Sequence, residues 1–573
     1  MMPLEARPER ASATGFFPRW LARRICTSNP FYILSAWMVC MGLRVSFGAH
    51  ADASQTWALF GGMAGYTLLL AVTACLLVRR VGVWDDVRTI MLLVVLLILA
   101  TSVTFDDVFT RDPVRGAACY LLGLLFAVAV SEGLLRGTRL ALPALFRVPY
   151  HLTLALFFLY PVALAPLLDQ PESEALQWAL FGFSPAAGLI ALTLLPAVRR
   201  GRRYVADNGS PWRWAWYPWT LFGLLAFGVV ARSAMLCWSM HHAGKAYGAE
   251  PYIFGGYFLA PFLLAVAAVL MEIGVVERRS GVKLVALALP AIATVLAAIG
   301  HRPELAYQEF LGRFEGRLGG SPLHLTLAIS GLFYAVAALR RVPLAIEALT
   351  VALAALAFVA TETRGLDGLA ALRPLPLLAI AALQTAIGLR DRSSWRCLIG
   401  AASLTAVIVA PSGVGIPLTG WREPAAFHLI MAASLVVGAV FDDAFARLAR
   451  GLGVAMAVLS CLVATIGSIE APAGIAPWAV AAYPPAVGLA LCGYGLIVRD
   501  PTPLWAAALV AASWLAAGGW RGYDALRSHI PGLDYIVIGL AFFVAAVLTS
   551  LAKAGVPLRR GTWTGGKPRD VLG

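Results

Sequence analysis

The sequence predicts an all-α integral membrane protein, a polytopic bundle of about eighteen transmembrane helices in nine hairpins, with both termini in the cytoplasm. Three observations predict this fold class: the composition, the length of the apolar runs and the distribution of basic residues. The 573 residues are 60% hydrophobic and only 13% charged, and their mean hydropathy is +0.78. Soluble proteins carry about 25% charged residues. A chain as apolar as this one could not form the polar, water-facing surface of a soluble protein. Lipid is therefore the solvent that suits this chain.

Apolar runs of spanning length recur along the whole chain, because a helix needs about 20 mostly apolar residues to cross a bilayer. The predicted spans lie near residues 30–48, 55–78, 87–106, 115–135, 148–168, 176–197, 213–238, 251–275, 283–300, 321–339, 343–360, 370–389, 396–415, 425–441, 450–469, 474–497, 503–519 and 533–552. Pro411 and Gly413 interrupt the thirteenth run. Counts between sixteen and twenty fit the same pattern of apolar runs.

The distribution of basic residues tests the parity of this topology independently. With the N-terminus inside, the predicted cytoplasmic segments hold 32 of the 45 Lys and Arg residues and the outer loops hold 11. The other two, Arg44 and Arg232, lie within spans. Basic residues collect in the short cytoplasmic loops of membrane proteins, so the asymmetry supports the topology. It also accounts for the net charge of +14, and we expect no nucleic-acid partner.

The membrane region divides into two halves of different character. Residues 1–29 predict a cytoplasmic tail, either with a short interfacial helix or without one, and residues 553–573 predict a second cytoplasmic tail. The half at 30–282, with about eight spans, holds both intramembrane arginines and most of the Trp and Tyr clusters. The half at 283–552, with about ten spans, is rich in small residues that let helices pack closely, which indicates a scaffold. The outer loop 301–320 predicts a surface helix.

Histidine and acidic residues near the span ends form a weaker set of candidates. His241 and His242 are adjacent, so in a regular helix their rings point about 100° apart and do not share one ligand. Glu272 lies toward the inner end of the eighth span, where it would act in a proton-coupled carrier or pair with Arg278 or Arg279. The eight cysteines contain no C-x-x-C pair. We expect no metal site, no disulfide framework and no cofactor.

Charged residues within the first half form the main candidate site. Arg44 and Arg232 lie in the outer parts of the first and seventh spans, and Asp106 and Asp107 end the third. A charge within a membrane costs about 3 kcal/mol or more and indicates function, and the guanidinium fork suits phosphate or carboxylate. The carboxylates would act as a general base, bind a divalent metal or pair with Arg44. The structural alternatives are arginines that reach the surface and a plain salt bridge.

The function that these residues favour is a carrier or flippase-like transporter for an anionic or lipid-linked substrate, with membrane lipids as its surroundings. One alternative is a transferase with Asp106 or Asp107 as base. The acidic pair is similar to that of membrane glycosyltransferases that use polyprenyl-phosphate donors, but those enzymes carry the acids in the first outer loop, which here holds only His50 and Asp52. The other alternative is a non-catalytic scaffold. The Ala-, Arg- and Leu-rich composition favours a bacterial inner membrane.

Overall fold

The structure is a computed structural model, and it describes residues 30–47, 53–167, 174–205, 216–242, 254–299, 305–358, 373–409, 422–466 and 477–553. Within these ranges the regular structure is entirely helical, without a strand. Lipid offers the backbone no hydrogen-bond partners, so each spanning segment satisfies its own N–H and C=O groups by forming a helix. The chain divides into two compact units, Met1–Pro376 and Leu377–Gly573.

The first unit contains the helices that carry most of the candidate residues. Its helices are α1 (Phe31–Phe47), α2 (Ala53–Leu76), α3 (Asp85–Thr104), α4 (Asp106–Arg111), α5 (Pro113–Thr138), α6 (Ala144–Ala163), α7 (Glu174–Leu192), α8 (Leu195–Arg200), α9 (Trp219–His242), α10 (Ala260–Val276), α11 (Ser280–Ala298), α12 (Leu305–Leu318), α13 (Pro322–Leu339) and α14 (Ala345–Phe358). Neighbours in sequence pack as hairpins, as in α5 with α6 and α10 with α11.

The second unit follows the same hairpin pattern with fewer buried residues. Its helices are α15 (Pro374–Asp391, which crosses the boundary), α16 (Ser394–Val409), α17 (Arg422–Val440), α18 (Ala444–Ile466), α19 (Pro477–Val498), α20 (Pro501–Arg527) and α21 (Leu533–Lys553). Close pairs are α17 with α18 and α19 with α20. The final helix packs least, since no residue of its apolar window is buried.

The prediction of an all-helical fold is confirmed for the described residues, and their many apolar helices are consistent with a multi-pass membrane protein. Fourteen helices of the described ranges are long and apolar enough to cross a membrane. Each of the eighteen predicted runs coincides with a helix, but four of these helices are not among the fourteen. Three are shorter apolar helices, α1, α14 and α16, and the fourth is α15. The count of eighteen and the cytoplasmic placement of the termini stay predictions. The sequence-based division after residue 282 also stays a prediction, and contacts divide the chain after Pro376.

Five of the basic hairpin corners share one helix-ending geometry. An arginine adopts the left-handed conformation in each of them, with φ between 51° and 58°: Arg139, Arg278, Arg341, Arg392 and Arg499. The N–H of the next residue then donates to the carbonyl five residues earlier at 2.8–3.1 Å, which is the Schellman ending of a helix. Glycine is usual at this position, and arginine here places its charge at the negative end of the helix dipole.

Small residues at these corners let the return helix approach. A Cβ at Gly388 would lie 2.9 Å from the backbone N of Cys397, and one at Gly274 would lie 3.0 Å from that of Lys283. Both glycines lie four residues before the left-handed arginine. A glycine at the same place before the arginine thus lets both return helices pack closely.

The predicted surface helix in 301–320 is α12, and its apolar face is buried. Tyr307, Phe310 and Phe314 are each at most 4% exposed, whereas the charged residues of the same helix lie on the other face. The Phe310 ring lies 4.7 Å from Phe254 and 5.2 Å from Trp178. Through this aromatic packing, α12 lies against the end of the first unit that is opposite the basic corners.

Candidate functional site

A break between α3 and α4 sets the position of the acidic pair. Helix α3 ends at Thr104, Phe105 forms a turn, and α4 begins at Asp106. Adjacent helical residues point about 100° apart, and the two carboxylates consequently differ in surroundings. Asp106 is 2% exposed, while Asp107 lies on the exposed face of α4.

Arg232 of α9 meets Asp106 in a bidentate ion pair. Its Nη1 donates to Asp106 Oδ2 at 2.6 Å and its Nη2 donates to Asp106 Oδ1 at 2.8 Å. The side chains are 0% and 3% exposed, so water does not screen the pair. Bidentate, charge-assisted bonds of this kind are among the strongest in proteins.

Tyr120 of α5 is the third member of this group, which we call the Asp106–Tyr120–Arg232 cluster. Its hydroxyl donates to Asp106 Oδ1 and accepts from Arg232 Nη2 at 3.1 Å. The rings of Phe105 and Phe109 contact the Tyr120 ring edge-on at 5.4 and 5.5 Å. The cluster thus joins three chain segments inside an aromatic shell.

Two glycines of α5 make this approach feasible. A Cβ at Gly116 would overlap the backbone of Phe109, and a Cβ at Gly123 would lie 2.5 Å from the Phe105 ring. Both glycines share the buried face of α5 with Tyr120, since spacings of four and three residues lie on one side of a helix. Their small size lets the broken end of α3–α4 reach Tyr120.

The cluster is neutral as a whole but not fully satisfied. Within the described part of the chain, the buried Nε of Arg232 has no hydrogen-bond partner. Removing one charge would leave the other buried without compensation, which costs about 3–5 kcal/mol. An anion that took the place of the Asp106 carboxylate on the guanidinium would add one negative charge to the cluster, which stays balanced if the displaced carboxylate takes up one proton. The guanidinium can therefore exchange its carboxylate partner for another anion together with one proton.

The other predicted site residues do not join this cluster. Arg44 lies exposed on α1 and, among the described residues, forms no ion pair or hydrogen bond. The pairing of Asp106 is with Arg232 and not with Arg44, and Arg232 does not reach the surface as the structural alternative expected. His241 and His242 end α9, and their side chains lie outside the described residues.

Glu272 belongs to a separate group at the basic corners. Its carboxylate pairs with Arg199 Nε at 3.1 Å and with Arg340 Nη1, in place of the expected Arg278 or Arg279. A similar bridge joins Glu132 to Arg147. The Glu132 bridge lies within the corner between α5 and α6, whereas the two Glu272 bridges connect different corners. Glu272 therefore serves the packing of the basic end.

Tyr120 is the functional residue that sequence reasoning missed. The sequence feature that points to Tyr120 is its spacing from Gly116 and Gly123. This spacing places a polar residue between two glycines on one face of the helix. The described residues contain no group of three metal-ligating side chains. Comparison with known protein families, with curated proteins and with solved structures finds no match for this chain.

Proposed function

We propose that this protein is a carrier or flippase-like transporter for an anionic or lipid-linked substrate, with about eighteen spans and both termini in the cytoplasm of a bacterium. The observation that carries the proposal is the buried Asp106–Tyr120–Arg232 cluster. Ionisable residues within spans are expensive and mark the pathways of substrates and ions. A stable fold alone does not need this pair, because well-packed apolar residues of similar volume are often equally stabilising.

Anion exchange on Arg232 is the step that we assign to the cluster. A phosphate or carboxylate of the substrate takes the place of Asp106 on the guanidinium fork, which suits both groups. The Tyr120 hydroxyl remains bonded to the released carboxylate. The guanidinium keeps an anionic partner throughout, and one proton that enters with the substrate and binds the released Asp106 carboxylate keeps the cluster neutral in a medium of low dielectric constant.

The break between α3 and α4 supports a movement of this kind. Interrupted helices are common at the binding sites of transporters, and here the interruption directly precedes Asp106. Helix α6 beside it contains Pro149 and Pro161, which remove backbone hydrogen bonds and favour kinks. The charged cluster thus lies directly after a helix end and beside a helix that contains two prolines.

The transferase alternative has less support. Both oxygens of Asp106 accept from Arg232, so the guanidinium occupies the carboxylate that would have to face a substrate. Asp107 is exposed beside the cluster without joining it. In the scaffold alternative, the same cluster only holds α4, α5 and α9 together. A comparison of extracts from a deletion strain distinguishes the scaffold from a transporter.

The experiment compares lipid and envelope-glycan extracts of a deletion strain with those of its parent by mass spectrometry. We expect a lipid-linked intermediate to accumulate, and wild-type protein to remove it. The decisive variant carries Asp106→Leu, Tyr120→Phe and Arg232→Leu together, so that no charge is left unpaired. We expect it to reach the membrane in normal amount without relieving the accumulation, whereas the exposed-neighbour control Asp107→Asn relieves it.

Two outcomes would contradict the proposal. Full relief by the triple variant would make the cluster a structural tie and favour the scaffold. Unchanged extracts from the deletion strain would contradict a lipid-linked substrate.

A further inference from the structure

An apolar cavity runs through the first unit between α6, α7, α9 and α10. Its volume is about 320 Å³, at the lower end of the range for ligand pockets. The wall is almost entirely hydrocarbon, with Phe222, Ala226 and Val229 of α9 on one side and Phe262 and Val266 of α10 on the other. Within spanning helices, such a wall suits a hydrocarbon chain and not a polar solute.

The cavity is long enough for such a chain. Its lining extends along α10 from Phe262 to Glu277, which is about 22 Å at 1.5 Å per residue. One leaflet of a bilayer contributes about 15 Å, half of the 30 Å hydrocarbon core. A lipid chain that entered from the basic end would therefore find apolar walls over its full leaflet depth.

The mouth at the basic end has the charge that a lipid phosphate needs. Glu277 Oε2 lies 3.2 Å from Arg202 Nε and 3.1 Å from Arg279 Nε, so one carboxylate faces two guanidinium groups. The Arg279 guanidinium also lies 4.1 Å from the ring centroid of Trp216, a residue type enriched at membrane interfaces. Among the described residues, the mouth thus has two guanidinium groups and one carboxylate, a net charge of +1.

We infer that this cavity binds one hydrocarbon chain of an anionic phospholipid, with its phosphate held at the mouth by Arg202 and Arg279. Only a molecule with a long apolar chain and a terminal anion matches both the wall and the mouth. The inference does not rest on the proposed function, since a carrier, a transferase or a scaffold could each retain such a lipid.

Gly223 offers a clean test of the cavity. It lines the cavity, and a Cβ built on it meets no atom within 4 Å. Gly223→Leu therefore adds a side chain at the wall of the cavity, starting from a Cβ that meets no protein atom. Gly133 of α5 is the matched control, because a Cβ there also meets nothing within 4 Å and the residue does not line the cavity.

The experiment is native mass spectrometry of the full-length protein purified from vesicles of phosphatidylcholine and phosphatidylglycerol in equal parts. We expect wild type and Gly133→Leu to retain one phosphatidylglycerol each. In Gly223→Leu the retained lipid should fall at least about tenfold, equivalent to about 1.4 kcal/mol. In the double variant Arg202→Gln and Arg279→Gln a lipid should remain, but the preference for phosphatidylglycerol over phosphatidylcholine should be lost.

Equal retention by Gly223→Leu and Gly133→Leu would overturn the inference, and so would a double variant that keeps the preference for phosphatidylglycerol. Neither result would affect the triple variant at Asp106, Tyr120 and Arg232, whose readout is the accumulated intermediate. The two proposals can therefore fail separately.

Discussion

The two units of this protein are built from similar hairpins but differ in what their helices bury. In the first unit, up to 56% of a spanning window is buried, in the segment that contains α3 and α4, whereas in the second no such window exceeds 33%. The first unit encloses large aromatic side chains around an ion pair. The buried clusters of the second consist chiefly of residues such as Ala457, Leu491 and Ala506.

This difference indicates which unit can hold a buried charged group in a fixed position. Large interlocking side chains fix the position of a buried charge, because each ring is contacted on several sides. Helices that bury few residues expose most of their surface instead. In the second unit the Arg450–Asp500 bridge, at 3.0 Å, and the Asp443 side chain both lie at the basic corners.

The largest loss of stability is expected from overpacking beside the Asp106–Tyr120–Arg232 cluster. Gly116→Ala would force α4 away from α5, and we expect it to destabilise the first unit by about 1–3 kcal/mol or more. Thermal unfolding of the purified protein, followed by loss of the monodisperse peak in gel filtration, measures the change. Gly133→Ala is the control, because its Cβ would meet nothing, and a helical Gly→Ala change alone stabilises slightly. Equal behaviour of the two variants would show that α4 is loosely packed.

A smaller effect is expected at Asp443, and it should depend on pH. Hydrogen bonds from the Ser394 hydroxyl, at 2.6 and 2.7 Å, and from the Ala446 N–H hold its pKa below the ordinary value of 3.8. A group with a lowered native pKa stabilises the fold above its ordinary pKa, and this stabilisation is lost as pH falls through the native pKa.

Asp443→Asn should therefore remove part of the acid sensitivity of the corner between α17 and α18. Loss of a helix cap of this type costs about 1 kcal/mol at neutral pH. Hydrogen exchange at the Ala446 amide, measured from neutral pH down to pH values below 3.8, gives the profile. Ser394→Ala should shift the wild-type transition upward. A wild-type profile without any acid transition would contradict the assignment.

The smallest effect is expected at the left-handed arginines. Arg392→Gly removes the steric cost of a positive φ and should raise the stability of its corner by less than about 1 kcal/mol. Arg390→Gly, two residues earlier inside α15, should lower stability by about 1 kcal/mol because glycine disfavours a helix interior. Opposite signs in thermal unfolding would support the common corner geometry, and the same sign for both would contradict it.

Sequence reasoning identified individual residues better than their partners. Arg232 and Asp106 were both candidates because charges in apolar runs are conspicuous, but the expected partner of the acid was Arg44. Glu272 was expected to pair with a neighbour in sequence, and it pairs with Arg199 and Arg340. These contacts bridge 73 and 68 residues, a separation over which hydropathy patterns carry no information about packing.

The sequence by itself determined the helical membrane class, the positions of the helices and the basic corners that end them. Those features follow from local rules, since lipid obliges each segment to close its own backbone hydrogen bonds and charge collects at helix ends. Only the tertiary structure decided that Arg232 meets Asp106 and Tyr120, that α12 covers an aromatic cluster, and that an apolar cavity remains beside α9. Those features depend on how closely helices approach, which the sizes of side chains on distant segments set together.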